Sequence, residues 1–378
     1  MPPLSLLIKP ASGLCNLRCK YCFYHDVSVS RSTESYGLMS TETLETIVKK
    51  ALGFADGACT FAFQGGEPTL AGLDFFRLLI EFEKKYNKKR VRVHNAIQTN
   101  GIIINDAWAR FLAENRFLAG VSLDGPQKIH DMHRIDASGE GSFNRVMHAI
   151  GLFDRHGVEY NILTVVNAAV ARHIQKTYVF FKKHGFRYLQ FIPCLDPLQE
   201  KPSGHDYSLA PERYANFLKI LFDLWYADAI NGTPVSIRYF DNLAQMALGY
   251  PPETCGMFGQ CKCQFVVEAD GGVYPCDFYV MDEWLLGNIR DMGFPELKFS
   301  ENCRRFESVS GHVEPACKEC RWFAFCRGGC RRNREPFLGG KPVSNYYCRS
   351  YREFFEYAAE RLQRVAAVLA SGIPGPHK

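Results

Sequence analysis

The chain has 378 residues, of which 47% are hydrophobic and 22% are charged, and this composition excludes a mainly disordered protein. Its 45 lysines and arginines against 40 acidic residues give a net charge of +5, which requires neither nucleic acid nor an anionic membrane as a partner. No stretch approaches the ~20 uninterrupted apolar residues of a membrane span. Residues 1–9 carry no basic leader and too short an apolar run for a signal peptide, so we expect a cytoplasmic protein.

Residues 4 to 192 alternate between strand-like and helical patterns. The predicted strands are 4–8, 59–64, 90–99, 117–123, 160–166 and 188–192. The predicted helices are one that Ser40 caps and that runs to about Leu52, followed by 73–86, 106–115, 143–156 and 173–184. Six strands alternating with five helices favour parallel βαβ units, which right-handed crossovers would curl into an open or partial barrel. The carboxyl ends of its strands would carry the chemistry.

Beyond the sixth strand the pattern changes. Residues 211–229 predict an amphipathic helix, and residues 351–369 predict a final helix. Between them, residues 265–267 and 273–274 flank an Asp-Gly-Gly turn and predict a β-hairpin. The rest of the segment up to Cys348 has little periodicity, which is typical of a chain that folds around metal rather than around a large apolar core.

Cysteine is the unusual residue type. Fifteen cysteines are about 4% of the chain, below the density of a small disulfide scaffold. Because reducing cytosol keeps thiols free, we expect many of them to be metal ligands. Three lie within eight residues, only two more precede residue 255, and the other ten fall between Cys255 and Cys348.

The first three cysteines, Cys15, Cys19 and Cys22, lie in the loop after the first predicted strand. An iron–sulfur cubane normally takes four thiolates, so three close ligands with no fourth nearby would leave one iron open to an exchangeable ligand. The alternative is a structural zinc loop or unrelated thiols, although structural zinc also takes four ligands. The spacing favours a reactive cluster.

Polar residues follow three successive predicted strands. They are Gly-Gly-Glu-Pro at 65–68, Gln-Thr-Asn-Gly at 98–101 and Ser-Leu-Asp-Gly at 122–125. Paired glycines let a ligand approach the backbone, and a carboxylate beside them can hold an amino group. Each tetrapeptide alone is more often a plain turn, but together they indicate a site at the strand ends.

The combination resembles the radical S-adenosylmethionine superfamily, whose signature CxxxCxxC is complete in Cys15, Cys19 and Cys22, with the aromatic Tyr21 before the last cysteine. The resemblance implies a [4Fe–4S] cluster that binds S-adenosylmethionine and releases a 5′-deoxyadenosyl radical. It also implies a set of cofactor contacts. Gly65, Gly66 and Glu67 would hold the methionine amino group, Ser122 and Arg134 its carboxylate or the ribose, and Tyr21 and Leu195 would border the adenosine.

The C-terminal cysteines resemble the SPASM domain of peptide-modifying radical enzymes. Its seven-cysteine pattern matches Cys261, Cys276, Cys317, Cys320, Cys326, Cys330 and Cys348, and Cys255 supplies an eighth thiol. The resemblance implies two auxiliary [4Fe–4S] clusters, the first held by Cys255, Cys261, Cys276 and Cys330 and the second by Cys317, Cys320, Cys326 and Cys348. Cys263 could replace Cys261 as a ligand, but the family pattern favours Cys261.

A zinc-ribbon module is the competing interpretation of this region. Cys317, Cys320, Cys326 and Cys330 could bind one zinc ion, and the nearby arginines could then face phosphates. The upstream cluster motif would then have no purpose, and arginines beside anionic clusters have a simpler role in offsetting thiolate charge.

Longer segments are similar to the anaerobic sulfatase-maturating enzymes. They are residues 15–25, 61–72, 236–241, 274–279 and 345–348, and the likeness covers essentially the whole chain. It implies O₂-independent oxidation of a cysteine or serine in a sulfatase Cys/Ser-x-Pro/Ala-x-Arg motif to Cα-formylglycine. The implied α/β fold is a partial (β/α)6 TIM-like barrel over 1–234, a SPASM domain over 235–348, and a C-terminal helix and tail over 349–378.

The resemblance makes Asp277, next to Cys276, the general base, with a turn-capping carboxylate as the alternative. Tyr24, Gln64 and Arg238 are candidate substrate contacts that could equally be packing residues. The expected partners are an unfolded sulfatase polypeptide and a low-potential donor like ferredoxin or flavodoxin, with neither nucleic acid nor a membrane. A maturase that forms thioether or carbon–carbon crosslinks in another peptide is the rival, and the choice between cysteine and serine stays open.

Overall fold

The computed structural model describes residues 3–198, 200, 202–337 and 340–372. The chain divides into two compact units, each assembled from three separate segments. Unit 1 comprises Met1–Ser122, Asp131–Tyr160 and Lys262–Ser308, and unit 2 comprises Leu123–His130, Asn161–Cys261 and Val309–Lys378. Within the described ranges, none of the helices combines the length and the apolar character that crossing a membrane requires.

The strands are β1 (Leu4–Ile8), β2 (Ala58–Phe63), β3 (Arg92–Thr99), β4 (Leu118–Ser122), β5 (Tyr160–Val166), β6 (Tyr188–Pro193), β7 (Ser236–Ile237), β8 (Val266–Val267), β9 (Gly272–Tyr274) and β10 (Gly287–Asn288). The α-helices are α1 (Phe23–Val29), α2 (Thr41–Phe54), α3 (Leu73–Tyr86), α4 (Asp106–Glu114), α5 (Gln127–His130), α6 (Phe143–His156), α7 (Ala168–Arg172), α8 (Ile174–Lys183), α9 (Pro211–Ile230), α10 (Arg238–Ala247), α11 (Phe294–Lys298), α12 (Glu301–Ser310), α13 (Pro315–Lys318), α14 (Phe323–Cys326) and α15 (Cys348–Gly372). Short 3₁₀ turns cover Pro68–Ala71, Cys255–Met257, Asp277–Tyr279, Asp282–Trp284 and Arg331–Arg334.

Unit 1 is built on one sheet. Strands β1 to β4 are parallel and lie in sequence order, with Leu6 opposite Phe61 and Phe61 opposite Asn95. On the side away from β2, β1 pairs in parallel with β8. Strand β9 pairs antiparallel with β8, and β10 pairs antiparallel with β9. Parallel strands bring their carboxyl ends to one edge, so the loops after β1, β2 and β3 meet there.

Alternating burial explains why these segments are strands. In β2, Cys59, Phe61 and Phe63 are buried, and the residues between them are partly exposed. Phe63 contacts Phe76 of α3 with its ring edge at a centroid distance of 5.0 Å, and Phe76 contacts Trp108 of α4 at 5.3 Å. Aromatic pairs of this kind add to the area that they bury, and they fix the helices against the sheet.

Unit 2 contains three parallel strands and two long helices. Strands β5, β6 and β7 pair in order, with Ile162 opposite Leu189 and Leu189 opposite Ile237. Helices α9 and α15 pack through aromatic rings, among them Phe222 and Phe354 at 5.7 Å between centroids. These rings form an apolar core in unit 2. Cys348, the last cysteine of the chain, is the first residue of α15.

The structure confirms the predicted α/β class and the predicted hairpin of β8 and β9. The six predicted strands lie within two residues of the observed ones at each end. Helix α7 was missed, although Asn167 caps it by accepting hydrogen bonds from two backbone N–H groups. The final helix begins three residues earlier than predicted, at Cys348. Residues 373–378 of the predicted tail lie outside the described residues. The domain limits at 234 and 348 stay a prediction.

Candidate active site and cluster sites

The loop with the first three cysteines is held by backbone hydrogen bonds from its neighbours in unit 1. The Leu14 carbonyl accepts from Glu67 N at 2.8 Å, and Arg18 N donates to the Ile135 carbonyl at 2.6 Å. Lys20 N donates to the carbonyl of His133 at 3.1 Å. The path of the loop is therefore fixed by the protein itself.

The thiols of this loop are candidate ligands of a metal cluster. Cys15 and Cys19 are partly buried, and Cys22 is exposed. Burial raises the pKa of Cys15 to about 11, and a charge on Cys22 would raise it further, so the two sulfurs act on one another. Thiols in this state bind as thiolates when a positively charged metal group offsets their charge.

The two glycines after β2 make room for protein atoms. Gly66 has φ +54°, and a side chain there would collide with the carbonyl oxygens of Leu14 and Ser12, just before Cys15. Gly65 has φ +111°, and a Cβ atom on it would lie 2.7 Å from Lys9 Nζ. The cluster loop and Lys9 therefore both lie close to these glycines. The approach of a ligand to the same backbone stays a prediction.

The Glu67 carboxylate accepts four hydrogen bonds from the protein. Its Oε1 accepts from Thr69 N (3.1 Å), Thr69 Oγ1 (2.6 Å) and Thr99 Oγ1 (2.8 Å), and its Oε2 accepts from Asn100 N (2.7 Å). Burial raises its pKa, whereas these hydrogen bonds lower it. This carboxylate ties the ends of β2 and β3 together. That residues 65–67 hold the amino group of the cofactor stays a prediction.

The other predicted cofactor contacts fall in both units. In unit 1, the Arg134 guanidinium lies 5.5 Å from the centre of the Tyr21 ring, next to Cys22 in the chain. Ser122, at the end of β4, accepts a hydrogen bond from Gln98 Nε2 at 3.2 Å. Leu195 belongs to unit 2, where it follows β6 and is partly buried.

The Asp277 carboxylate is held by two residues from the strand ends of unit 1. It directly follows Cys276 and begins a 3₁₀ turn. Its Oδ1 accepts from the Lys9 ammonium, and its Oδ2 accepts from Gln64 Nε2 at 2.8 Å. The structure therefore brings together Asp277 and Gln64, both singled out from the sequence, with Lys9, which was missed. A charged residue directly after a buried strand was the available signal.

Tyr24 lies beside this group, but its hydroxyl points elsewhere. The hydroxyl donates to the Glu268 carboxylate, which also pairs with Arg31 Nη1 at 2.7 Å. Lys9 Nζ lies over the Tyr24 ring, 3.8 Å from its centre. Tyr24 thus presents its ring rather than its hydroxyl to the Asp277 group. Arg238, in unit 2, is exposed and lies 3.5 Å from the carboxylate of Glu253.

Three of the C-terminal cysteines share a cleft in unit 2. Cys255, Cys261 and Cys330 line one small cleft together with Arg331. Burial raises the pKa of Cys330 to about 12, and the charges of the other two thiols would raise it further. Cys276 belongs to unit 1.

Cys263 is in different surroundings. It belongs to unit 1, where its thiol hydrogen-bonds that of Cys303 and its backbone N donates to Glu307 Oε1 at 2.9 Å. Of the two candidate ligands, Cys261 is therefore the one that faces the other cysteines of unit 2.

Four other C-terminal cysteines form a second group in unit 2. They are Cys317 in α13, Cys320 after it, Cys326 at the end of α14 and Cys348 at the start of α15. Burial raises the pKa of Cys326 to about 11, and thiolates at the other three positions would raise it further. Among the described residues, no three His, Cys, Asp or Glu side chains are placed to hold a single metal ion. A cubane separates its thiolates by the width of the cluster, so this spacing does not count against it.

Comparison with known proteins gives consistent matches. A model of the Radical SAM superfamily matches residues 10–180, and one of the SPASM iron–sulfur cluster-binding domain matches residues 255–321. The chain is 54% identical to a cysteine-type anaerobic sulfatase-maturating enzyme of Clostridium perfringens, over 97% of this chain and 99% of that one. It is 34% identical to a serine-type enzyme of Bacteroides thetaiotaomicron, over 94% and 90% of the two chains.

A solved structure agrees with the sequence matches. The structure described as native anSMEcpe with bound AdoMet and Cp18Cys peptide superposes with a TM-score of 0.94 at 53% identity, over 97% of this chain and 99% of that one. A relative this similar, matched over nearly its whole length, establishes the family. The chain belongs to the anaerobic sulfatase-maturating enzymes of the Radical SAM superfamily.

Proposed function

We propose that the protein oxidises a cysteine in a sulfatase Cys-x-Pro/Ala-x-Arg motif to Cα-formylglycine, without O₂. The observation that carries this proposal is 54% identity to a cysteine-type enzyme over almost the entire chain, against 34% to a serine-type one. A solved relative with a TM-score of 0.94 holds both AdoMet and a peptide, which supports a peptide substrate here as well. The zinc-ribbon interpretation is wrong. Cys317 and Cys320, two of the four cysteines that suggested it, lie in the segment that matches an iron–sulfur cluster-binding domain.

The cofactors we propose are S-adenosylmethionine and three [4Fe–4S] clusters. Cys15, Cys19 and Cys22 would hold the first cluster. The auxiliary clusters would use the two sets of four cysteines that the SPASM resemblance implies, with Cys261 rather than Cys263. When bound, this set supplies a 5′-deoxyadenosyl radical that removes a hydrogen atom from the substrate Cβ, and an acceptor for a second electron.

The chain's own residues supply position and a base. Gly66 and Glu67 hold the cluster loop and the strand ends in one arrangement. As the Cβ radical is oxidised, the substrate thiol must lose a proton, and an Asp277 carboxylate oxygen would receive it. Gln64 and Lys9 hold that carboxylate from β2 and β1. The resulting thioaldehyde would react with water to give the aldehyde and release hydrogen sulfide.

The partners follow from this chemistry. An unfolded sulfatase segment would be the substrate, because the cysteine must reach the radical before the sulfatase folds around it. A ferredoxin- or flavodoxin-like protein would supply the low-potential electron. A reducing cytoplasm would keep the cluster ligands as thiols, so we also propose a cytoplasmic enzyme.

The test is anaerobic reconstitution followed by turnover on matched cysteine and serine peptides. We expect about twelve iron atoms per chain, 5′-deoxyadenosine, and a cysteine peptide lighter by about 18 mass units that reacts with a hydrazine probe. The serine peptide should react more slowly. A loss of about 2 units from the cysteine peptide, without an aldehyde, would instead identify a crosslinking maturase.

A further inference from the structure

Lys9 is a buried cation at the centre of unit 1. It follows β1 directly, and its side chain has no exposed surface. Its backbone N donates to the Val267 carbonyl at 2.8 Å, which continues the pairing of β1 with β8. Lysine is almost never fully buried without a partner, because removing an ammonium group from water costs several kcal/mol. A specific interaction must offset that cost.

The partner is the carboxylate assigned as the base. Lys9 Nζ donates to Asp277 Oδ1, and the Tyr24 ring covers the ammonium at 3.8 Å. Gly65 leaves the space that the lysine stem fills, because a Cβ atom there would lie 2.8 Å from Lys9 Cγ. Glu268, the other acid nearby, is engaged by Tyr24 and Arg31. The aromatic ring, the glycine and the strand end thus all direct the ammonium toward Asp277.

We propose that Lys9 is a positioning residue for the reaction: it fixes the Asp277 carboxylate in the orientation that accepts the substrate proton. This inference rests on the proposed function. Lys9 anchors one carboxylate oxygen from β1, and Gln64 anchors the other from β2, so the carboxylate cannot rotate freely. The substrate S–H bond breaks and a carboxyl O–H bond forms, whereas Lys9 keeps its proton throughout. After release of the product, the carboxyl proton returns to water.

The test measures a ratio, the amount of formylglycine formed per 5′-deoxyadenosine. Lys9→Met keeps the unbranched stem and removes the ammonium group. We expect iron content and 5′-deoxyadenosine formation close to wild type, and at least a tenfold fall in formylglycine per 5′-deoxyadenosine. Lys50→Met is the matched control, because Lys50 also lies in unit 1 and its ammonium donates to the backbone carbonyls of residues 289, 290 and 292. It should leave the ratio unchanged.

A double-mutant cycle separates positioning from a general structural role. If Lys9 acts through Asp277, then adding Lys9→Met to Asp277→Asn should lower the ratio by no more than about twofold further. Independent effects would multiply instead, and that result would overturn the proposal.

The remaining outcomes are equally decisive. Lys9→Gln serves as a second variant, because its amide can still donate a hydrogen bond. If both Lys9 variants lose iron and both products together, Lys9 is structural and the inference is wrong. If Lys9→Met keeps the wild-type ratio, the inference is also wrong, while the proposed function stands. If the wild type itself makes no aldehyde, the proposed function fails first.

Discussion

The two cysteine-rich regions are supported in opposite ways. In unit 1, residues 9–22 exchange backbone hydrogen bonds with Met39, Glu67, residues 133–135 and Val267, and Gly66 leaves space for their carbonyl groups. In unit 2, residues 309–348 contain two α-helices of four residues each, and neither has a buried residue. The first region has a fixed path from protein contacts, whereas the second has little regular structure of its own.

Backbone bonds from Val343 N to the Arg334 carbonyl (3.3 Å) and from Tyr346 N to the Asn333 carbonyl (2.7 Å) brace the second region, and single side chains add to them. The Arg334 guanidinium donates to the carbonyls of Ser310 and Val343, each at 3.2 Å, and to that of His312. Asn345 Nδ2 donates to the Gly328 carbonyl at 3.1 Å. These bonds join turns to one another, and Tyr347 also donates to the Cys194 carbonyl just after β6 at 3.2 Å. We expect metal ligation to supply much of the remaining stability.

The difference follows from what each site has to do. A cluster with three protein ligands must leave one iron accessible, so the loop around it has to keep its shape while ligands exchange there. A cluster with four cysteines is closed, and it can itself serve as the centre around which a segment folds. Loss of one cysteine should therefore end chemistry in the first region and disturb the fold in the second.

The largest effect is expected for Cys22→Ala. Cys22 is exposed, and its side chain makes no capping hydrogen bond to α1, so little of the fold depends on it. We expect 5′-deoxyadenosine formation to fall by at least about a thousandfold, since the reactive cluster is lost. The melting temperature should change by only a few degrees. A variant that keeps cleaving S-adenosylmethionine would contradict the assignment of this loop.

Cys320→Ala is the matched variant in the second region. We expect it to lose about four irons, as Cys22→Ala does, because a cubane is lost in each case. Unlike Cys22→Ala, it should also expose residues 309–348 to limited proteolysis, which mass spectrometry of the fragments would locate. If the two variants give the same fragments, the contrast between the regions does not hold.

The sequence was most informative where the signal is local. Cysteine spacing and alternating burial are visible within a few residues, and for that reason the three-thiol loop and the strands of unit 1 could be predicted. The polar tetrapeptides at the strand ends could be located in the same way. What each of them contacts could not be.

The missed contacts join residues that are far apart in the chain. Lys9 and Asp277 are separated by 268 positions, and they meet because β8 pairs with β1. The Glu67 carboxylate meets Asn100 N across 33 positions, because β2 and β3 end side by side. A pairing of two-residue strand β8 with β1 leaves no periodic signal, so neither partner could be chosen from composition or spacing alone.

Gly66→Ala tests whether protein contacts hold the first loop. Its control is Gly72→Ala, because Gly72 also has positive φ, at +86°, but nothing lies within 4 Å of a Cβ atom there. Both changes carry the backbone cost of about 1–3 kcal/mol that an alanine meets at such angles. Only Gly66→Ala also displaces the carbonyls before Cys15.

For Gly66→Ala we expect a fall of about ten- to a hundredfold in 5′-deoxyadenosine formation, since a displacement near 1 Å at a reacting site has an effect of that size. Gly72→Ala should stay within about twofold of wild type. Iron counting shows whether the loss comes from the cluster or from its geometry. Equal activity of the two variants would mean that the loop does not depend on Gly66.

The smallest effect concerns the stability of unit 1 itself, through Glu83 of α3. Its carboxylate accepts from Asn95 Nδ2 at 3.0 Å, and burial raises its pKa from 4.5 to about 7. The folded protein therefore keeps a proton that the unfolded chain releases above pH 4.5. The contribution of Glu83 to the free energy of unfolding is fully present below pH 4.5, and it is lost as the pH rises through 7.

Glu83→Gln removes this pH dependence, because the amide is neutral throughout. At pH 8 we expect the variant to be more stable than wild type by about 1–2 kcal/mol, an increase of a few degrees in melting temperature. At pH 4.5 the two should agree. Hydrogen exchange at pH 8 should slow in α3 and β3 and stay unchanged in residues 309–348, since that segment depends on its clusters. Slower exchange both in α3 and β3 and in residues 309–348 would show that the two regions unfold together. The regions would then differ only in how many cysteines hold each cluster.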